Sequence, residues 1–224
     1  MDSSTSSTLT FDEYAVSALS DVSSDERAIM LLCHGAGANM HHDHMQALTQ
    51  TLLGIGVSTV RFNFPYMEQG KRRTDNLATC LAAIDAAVQK HLIRSNVPCL
   101  LGGHSFGGRM VSHYAATSGT QLNATIAGLV YFSFPLHPSG KPATKRAEHL
   151  IKNSLPQLFL SGDRDGLADL SLMKETLSSI PNATLQILET ADHSFKPLKR
   201  TRKRTDSVYE EAASHLKGWL ASVL

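Results

Sequence analysis

Short apolar runs, each closed by glycine or a charged cluster, alternate along most of this chain with stretches whose apolar positions recur every three to four residues. Residues 28–33 (AIMLLC) are continuously apolar, the pattern of a strand covered on both faces. Further strands are predicted at 57–62, 99–103, 126–134, 157–161 and 184–188, with helices over 43–53, 74–92, up to 118, 143–152, 168–180 and 205–223. The helix at 74–92 carries the strongest stripe, Leu77, Cys80, Leu81, Ile84, Ala87, Val88 and Leu92, with Thr74 or Asp75 as its cap. Strand and helix in turn imply right-handed crossovers. The expected fold is therefore α/β: a doubly wound, mostly parallel six-stranded sheet with helices on both faces.

The chain before the first run is less patterned. Residues 1–10 form a Ser/Thr tract expected to be disordered, and weak alternation over 11–20 suggests a short edge strand. No internal repeat or linker breaks the remainder, so 11–224 are expected to fold as a single domain. Only about a dozen residues separate the fourth strand from the next helix, too few for a separate cap domain.

Composition narrows the partners. Twenty-one basic residues balance 20 acidic ones, for a net charge of +1, which gives no general reason to expect nucleic acid or an anionic membrane. Three cysteines, Cys33, Cys80 and Cys99, lie inside apolar segments. They read as buried thiols of a reducing, cytoplasmic compartment rather than a disulfide framework. No run approaches the length of a membrane span, and the first 25 residues lack the basic-then-apolar order of a signal peptide.

In a parallel wound sheet, function gathers just beyond the carboxyl ends of the strands. The polar residues at those points are His34, Asn63, Ser105, His137, Asp163, Asp165 and His193. Residues 98–109, PCLLGGHSFGGR, run from an apolar strand through Gly103-His104-Ser105-Phe106-Gly107 straight into a helical pattern. A sharp strand-to-helix turn lifts the residue at its apex clear of the sheet, and close packing there excludes a Cβ two residues to either side, hence Gly103 and Gly107. By chance alone GxSxG would occur in about 7% of chains of this length, so its context must decide.

That context supplies partners. A serine hydroxyl needs a base within hydrogen-bond reach and a third group to orient the base. His193 and Asp165 follow adjacent predicted strands, about 4.8 Å apart, in the order Ser, Asp, His. Asp163, directly adjoining its strand, and Asp169, expected inside the next helix, are rivals for the acid. Negative charge developing on an attacked carbonyl oxygen needs two preorganised N–H donors. Phe106 N–H is one candidate; the other comes from His34-Gly35-Ala36-Gly37, with Ala36 preferred and Gly35 as the alternative.

These residues resemble the α/β-hydrolase superfamily. More narrowly, LCHGAGANM (32–40), RFNFPYMEQG (61–70), FPLHPSGKP (134–142), LFLSGDRD (158–165) and ADHSF (191–195) are similar to a small lidless group. It includes bacterial predicted hydrolases, a testis-expressed homologue and the hydrolase-like domain of a chromatin acetylation-complex subunit. The resemblance covers most of the chain from Ala28 onward and implies Ser105, Asp165 and His193 as catalytic residues; separately, neither a cofactor nor a metal is expected. Phe106 departs from the methionine common after the elbow serine, which alters the wall of the site and leaves the backbone donor. The expected activity is hydrolysis of small carboxylic esters or thioesters through an acyl-enzyme. A catalytically silent interaction module and a peptidase are the competing readings.

Other polar residues have blander roles open to them. His41, His42 and His44 diverge around a helix start and rarely converge on one metal ion; Asp43 or Asn39 would cap that helix. Arg61 and Arg109 either hold an anion near the site or tie loops together. Lys196 to Arg204 (KPLKRTRKR) form either an anion-attracting or a merely solvated basic loop.

Overall fold

The computed structural model describes residues 3–93, 95–118 and 126–224. Contrary to expectation, the Ser/Thr tract is a strand, β1 (Ser3–Phe11), paired antiparallel with β2 (Tyr14–Val22) throughout; Met1 and Asp2 lie outside the described residues. Asp12, in the turn between them, has a φ of 45°, the left-handed backbone that tight hairpin turns use. The hairpin is held through one face: Leu9, Val16 and Ala18 are each 1% exposed. Nor is β2 the edge strand expected there, because β1 lies outside it.

The six strands read from the sequence are the parallel part of the sheet: β3 (Ala28–Cys33), β4 (Val57–Phe62), β5 (Cys99–His104), β6 (Ile126–Phe132), β7 (Gln157–Gly162) and β8 (Ala183–Leu188). Among the described residues the order is β1-β2-β4-β3-β5-β6-β7-β8, eight strands instead of six, with β2 antiparallel to β4. The helices are α1 (Asp43–Leu53), α2 (Pro65–Glu68), α3 (Leu77–His91), α4 (Phe106–Ser118), α5 (Leu170–Ser178) and α6 (Val208–Val223).

Both faces of the sheet are covered. Successive residues of β3 feed opposite cores, as the period of two demands. Leu31 and Cys33 join Ile84, Val88, Tyr114 and Met173 from α3, α4 and α5, whereas Met30 and Leu32 join Leu48, Leu52, Leu216 and Trp219 from α1 and α6. Helix α6 approaches β6 so closely that a Cβ on Gly128 would lie 2.5 Å from the Trp219 ring. Among the described residues, no helix is long and apolar enough to cross a membrane.

Several boundaries move from their expected places because side chains claim the free N–H groups at helix starts. Asn76, not Thr74 or Asp75, caps α3, accepting the Thr79 N–H at 2.9 Å. His42, not Asp43 or Asn39, caps α1. Asp169 caps α5 rather than lying inside it, and Ser207 with Glu210 forms a capping box on α6. The helix expected at 143–152 is two 3₁₀ turns, Lys145–Ala147 and Leu150–Lys152. Its buried residues, Ala147 and Leu150, are three apart, the spacing that eclipses in a 3₁₀ helix. These turns are the helical structure between β6 and β7, and among the described residues no cap domain covers the carboxyl rim.

Candidate active site

Ser105 sits between the end of β5 and the first residue of α4 with a φ of 52°. A non-glycine residue is strained there, and the surroundings enforce it: Ser105 N–H donates to Phe132 O (3.0 Å) and Arg109 N–H to Ser105 O (3.1 Å). A Cβ on Gly103 would lie 2.6 Å from the backbone of Gly107 and Gly108, and one on Gly107 would lie 2.3 Å from Cys33 O. The close approach inferred at the elbow is thus a contact between α4 and the exit of β3.

Asp165 and His193 converge on this serine. Asp165 lies in the turn after β7, its side chain fully buried and its Oδ1 accepting the Leu167 N–H at 2.8 Å. His193 sits at the tip of a tight loop after β8. The Asp192 carboxylate stitches that loop, accepting the N–H groups of Ser194 (2.8 Å) and Lys196 (3.0 Å). His193 Nδ1 lies 2.9 and 2.8 Å from the two Asp165 oxygens, and Nε2 lies 2.7 Å from Ser105 Oγ. A carboxylate only accepts, so Nδ1 carries the ring proton and Nε2 is free to accept the serine hydroxyl. The rivals are elsewhere: Asp163 is exposed, and Asp169 accepts the Leu172 N–H at the start of α5 (2.9 Å).

Beside the serine, the loop after β3 is shaped by a buried histidine. Phe64 N–H donates to His34 Nε2 (3.0 Å), so Nδ1 bears the proton and donates to Gly35 O (2.8 Å). Gly35 O also accepts the Ala38 N–H (3.1 Å). In a trans peptide the N–H points opposite to the carbonyl, so the Ala36 N–H turns away from those partners. The peptide before it is reversed. His34 O would lie 2.6 Å from a Cβ on Gly107, so it faces α4 and leaves the Gly35 N–H pointing away. Burial lowers the His34 pKa to about 4, keeping the ring neutral as this pair of hydrogen bonds requires. Tyr66 Oη donates to Ala36 O (3.0 Å), and Arg61 and Asn63 hold Met40 further along (2.7 and 2.9 Å).

Two more histidines work the same way, and only His137 stood out at a strand end in the sequence. His104 Nε2 donates to His193 O (3.0 Å), tying the residue before the serine to the loop of His193. Its ring packs on His44 (centroids 4.2 Å apart) and His193 (5.3 Å), with Phe195 and Tyr209 behind. Burial first, with the neighbouring histidines adding to it, lowers His44 to about 2; burial is also the main cause lowering His104 to about 4. His137 Nε2 accepts the Asp169 N–H (2.8 Å) and Nδ1 donates to Pro138 O (2.9 Å). It thereby latches the loop after β6 to the loop that carries Asp165. No sequence signal marks such stitches, because each runs to the backbone of a loop distant in the chain through only one of the ring nitrogens.

The remaining candidates separate cleanly. Arg61 is structural: its guanidinium pairs with Asp21 (2.8 Å), both side chains being less than a tenth exposed. His42 caps α1, and His44 bonds Tyr209 Oη (2.8 Å). In the basic loop, Arg202 is turned inward onto Glu211 (2.9 Å), Arg204 pairs with Asp206 (2.6 Å), and the Lys203 and Arg204 N–H groups bond Glu189. Phe106 forms a wall of the site, its ring edge-on to Phe64 (5.6 Å) and Tyr66 (6.2 Å).

Residues 26–221 match a family model described as an alpha/beta hydrolase domain. Among solved structures, the chain is similar to Est1E from Butyrivibrio proteoclasticus (18% identity, TM-score 0.74), covering 97% of this chain and 98% of that one. A dienelactone hydrolase from Anabaena variabilis gives 16% identity and a TM-score of 0.76, covering 100% and 99%. A serine hydrolase without lid from Xanthomonas campestris gives 18% and 0.66, covering 98% and 92%. At these identities the likeness is one of fold.

Proposed function

This chain belongs to the alpha/beta hydrolase domain family, and from that premise we propose that it is a serine hydrolase of small carboxylic esters or thioesters. The observation that carries the reading is the unbroken chain of hydrogen bonds from Asp165 through His193 to Ser105. The open rim supports small acyl groups, since no cap domain builds a long enclosed tunnel. The resemblance of its loop motifs to those of a lidless group that includes testis-expressed and chromatin-complex proteins supports the same reading. Three buried cysteines without a disulfide are consistent with a cytoplasmic setting.

In the proposed cycle, Ser105 Oγ attacks the acyl carbon while its proton passes to His193 Nε2. Asp165 holds the imidazole in register and stabilises the imidazolium. The oxyanion is received by Phe106 N–H and by Ala36 N–H, which the orientation of the Gly35 carbonyl supports over Gly35 N–H. Collapse breaks the bond from carbon to the leaving alkoxide or thiolate, which takes the proton from His193. Water then attacks the acyl-enzyme, giving its proton to His193, and release of the acid returns that proton to Ser105.

A fluorophosphonate probe tests this directly. The protein is expected to label and to hydrolyse 4-nitrophenyl butyrate; Ser105→Ala is expected to do neither. A folded protein that does not label would overturn the reading and leave an interaction module in its place.

A further inference from the structure

One turn along α4 from the nucleophile lies a basic cluster that the mechanism does not use. Arg109 stands with its Cζ 6.0 Å from the centroid of the Phe106 ring, the ring that walls the site. Its Nε is buried and has no hydrogen-bond partner. Among the described residues, no ion pair involves Arg109 or Arg146. Arg146, on the first 3₁₀ turn, is near enough that its charge, after burial itself, lowers the Arg109 pKa.

One turn further on, α4 is clamped to the segment between the two 3₁₀ turns. His149 Nε2 lies 2.6 Å from Ser112 Oγ, and the His113 and His149 rings stack at 3.5 Å with 13° between their planes. The fold therefore holds a half-buried guanidinium with no acid paired to it and brings the charge of a second within its reach. Such an arrangement is costly unless an anion completes it. A planar carboxylate matches the guanidinium fork.

Resting on the hydrolase reading above, we infer that Arg109 and Arg146 form a subsite for a carboxylate at the far end of the substrate. The substrate class is then a half-ester or half-thioester of a short dicarboxylic acid. Its reacting carbonyl sits at Ser105, its methylenes run along Phe106, and its free carboxylate reaches the two arginines, about one helical turn (~5.4 Å) along α4.

Two assays test this. The first compares kcat/KM for the 4-nitrophenyl half-ester of glutaric acid with that for the neutral 4-nitrophenyl valerate. The protein is expected to favour the anionic ester by about tenfold or more, and Arg146→Gln and Arg109→Gln are each expected to reduce that ratio severalfold. Arg146 is partly exposed on a turn, so its variant reports even if Arg109→Gln folds poorly. Equal kcat/KM for the two esters, or a ratio unchanged in both variants, would overturn the subsite.

The second assay is independent of turnover: glutarate is titrated calorimetrically into the Ser105→Ala protein, with and without Arg146→Gln. Saturable binding weakened by Arg146→Gln supports the subsite; its absence overturns it. If neither ester is cleaved and Ser105 does not label, the hydrolase reading alone has failed, and the titration still decides the anion site.

Discussion

At the scale of single residues, the geometry around Ser105 depends on side chains that do not touch its hydroxyl. In the proposed mechanism, His104 acts on His193 only through that residue's carbonyl, which makes it a positioning residue. His104→Ala is expected to lower kcat by ten- to a hundredfold with a smaller change in KM, because displacing a reacting group by an ångström costs on that order. Partial rescue by His104→Gln, whose amide can donate to the same carbonyl, would separate positioning from simple loss of packing. At Gly107 the constraint is steric: the Cβ of Gly107→Ala would lie 2.3 Å from Cys33 O. That variant is expected to lose about 1–3 kcal/mol of stability, read as a lower urea midpoint, together with labelling at Ser105. Ser105, Asp165 and His193 were legible in the sequence because each follows an apolar strand and their chain order limits the topologies. What His34, His104 and His44 do was not. Their roles rest on which tautomer satisfies a backbone group many residues away, and that appears only when the loops are in place.

At the scale of elements, strands buried on both faces announced themselves and the hairpin did not. Continuous apolar runs such as residues 28–33 carry their own signal, whereas β1 offers mostly serine and threonine with Leu9 as its buried anchor, a composition shared with disordered tails. The same weakness hid the 3₁₀ turns, where Ala147 and Leu150 suit either helix type. The hairpin is fastened to the sheet by Arg61 and Asp21, which bridge β4 and β2 at 2.8 Å in a buried setting. Asp21→Ala leaves that guanidinium without its carboxylate and is expected to cost about 3–5 kcal/mol, measured by chemical denaturation. Restoration by a further Arg61→Met change would show that the stranded charge, not the lost aspartate volume, is responsible.

Across the whole molecule, neutral buried histidines make stability depend on pH. His34, His104 and His149 are lowered to about 4, chiefly by burial, against about 6.5 in an unfolded chain. Between those values the unfolded chain binds protons that the folded one refuses, so stability is full above about pH 6.5 and falls as the pH drops towards 4. Thermal midpoints measured from pH 7.5 to 4 should trace that loss, and His149→Phe should flatten part of it. The uncovered rim predicts a second bulk property: kcat/KM for neutral 4-nitrophenyl esters should fall from butyryl to palmitoyl chains.

The twisted backbone at the apex of the elbow carries a thermodynamic signature of its own. Elsewhere in a folded chain alanine is the safer replacement and glycine the looser one, but at φ 52° a methyl group is the liability and its removal relieves about 1 kcal/mol. Both Ser105→Gly and Ser105→Ala discard the hydroxyl, so calorimetry on the pair isolates the torsion: the glycine variant should melt at the higher temperature. A glycine variant that outlasts its alanine sibling would measure how much tension residue 105 is held under.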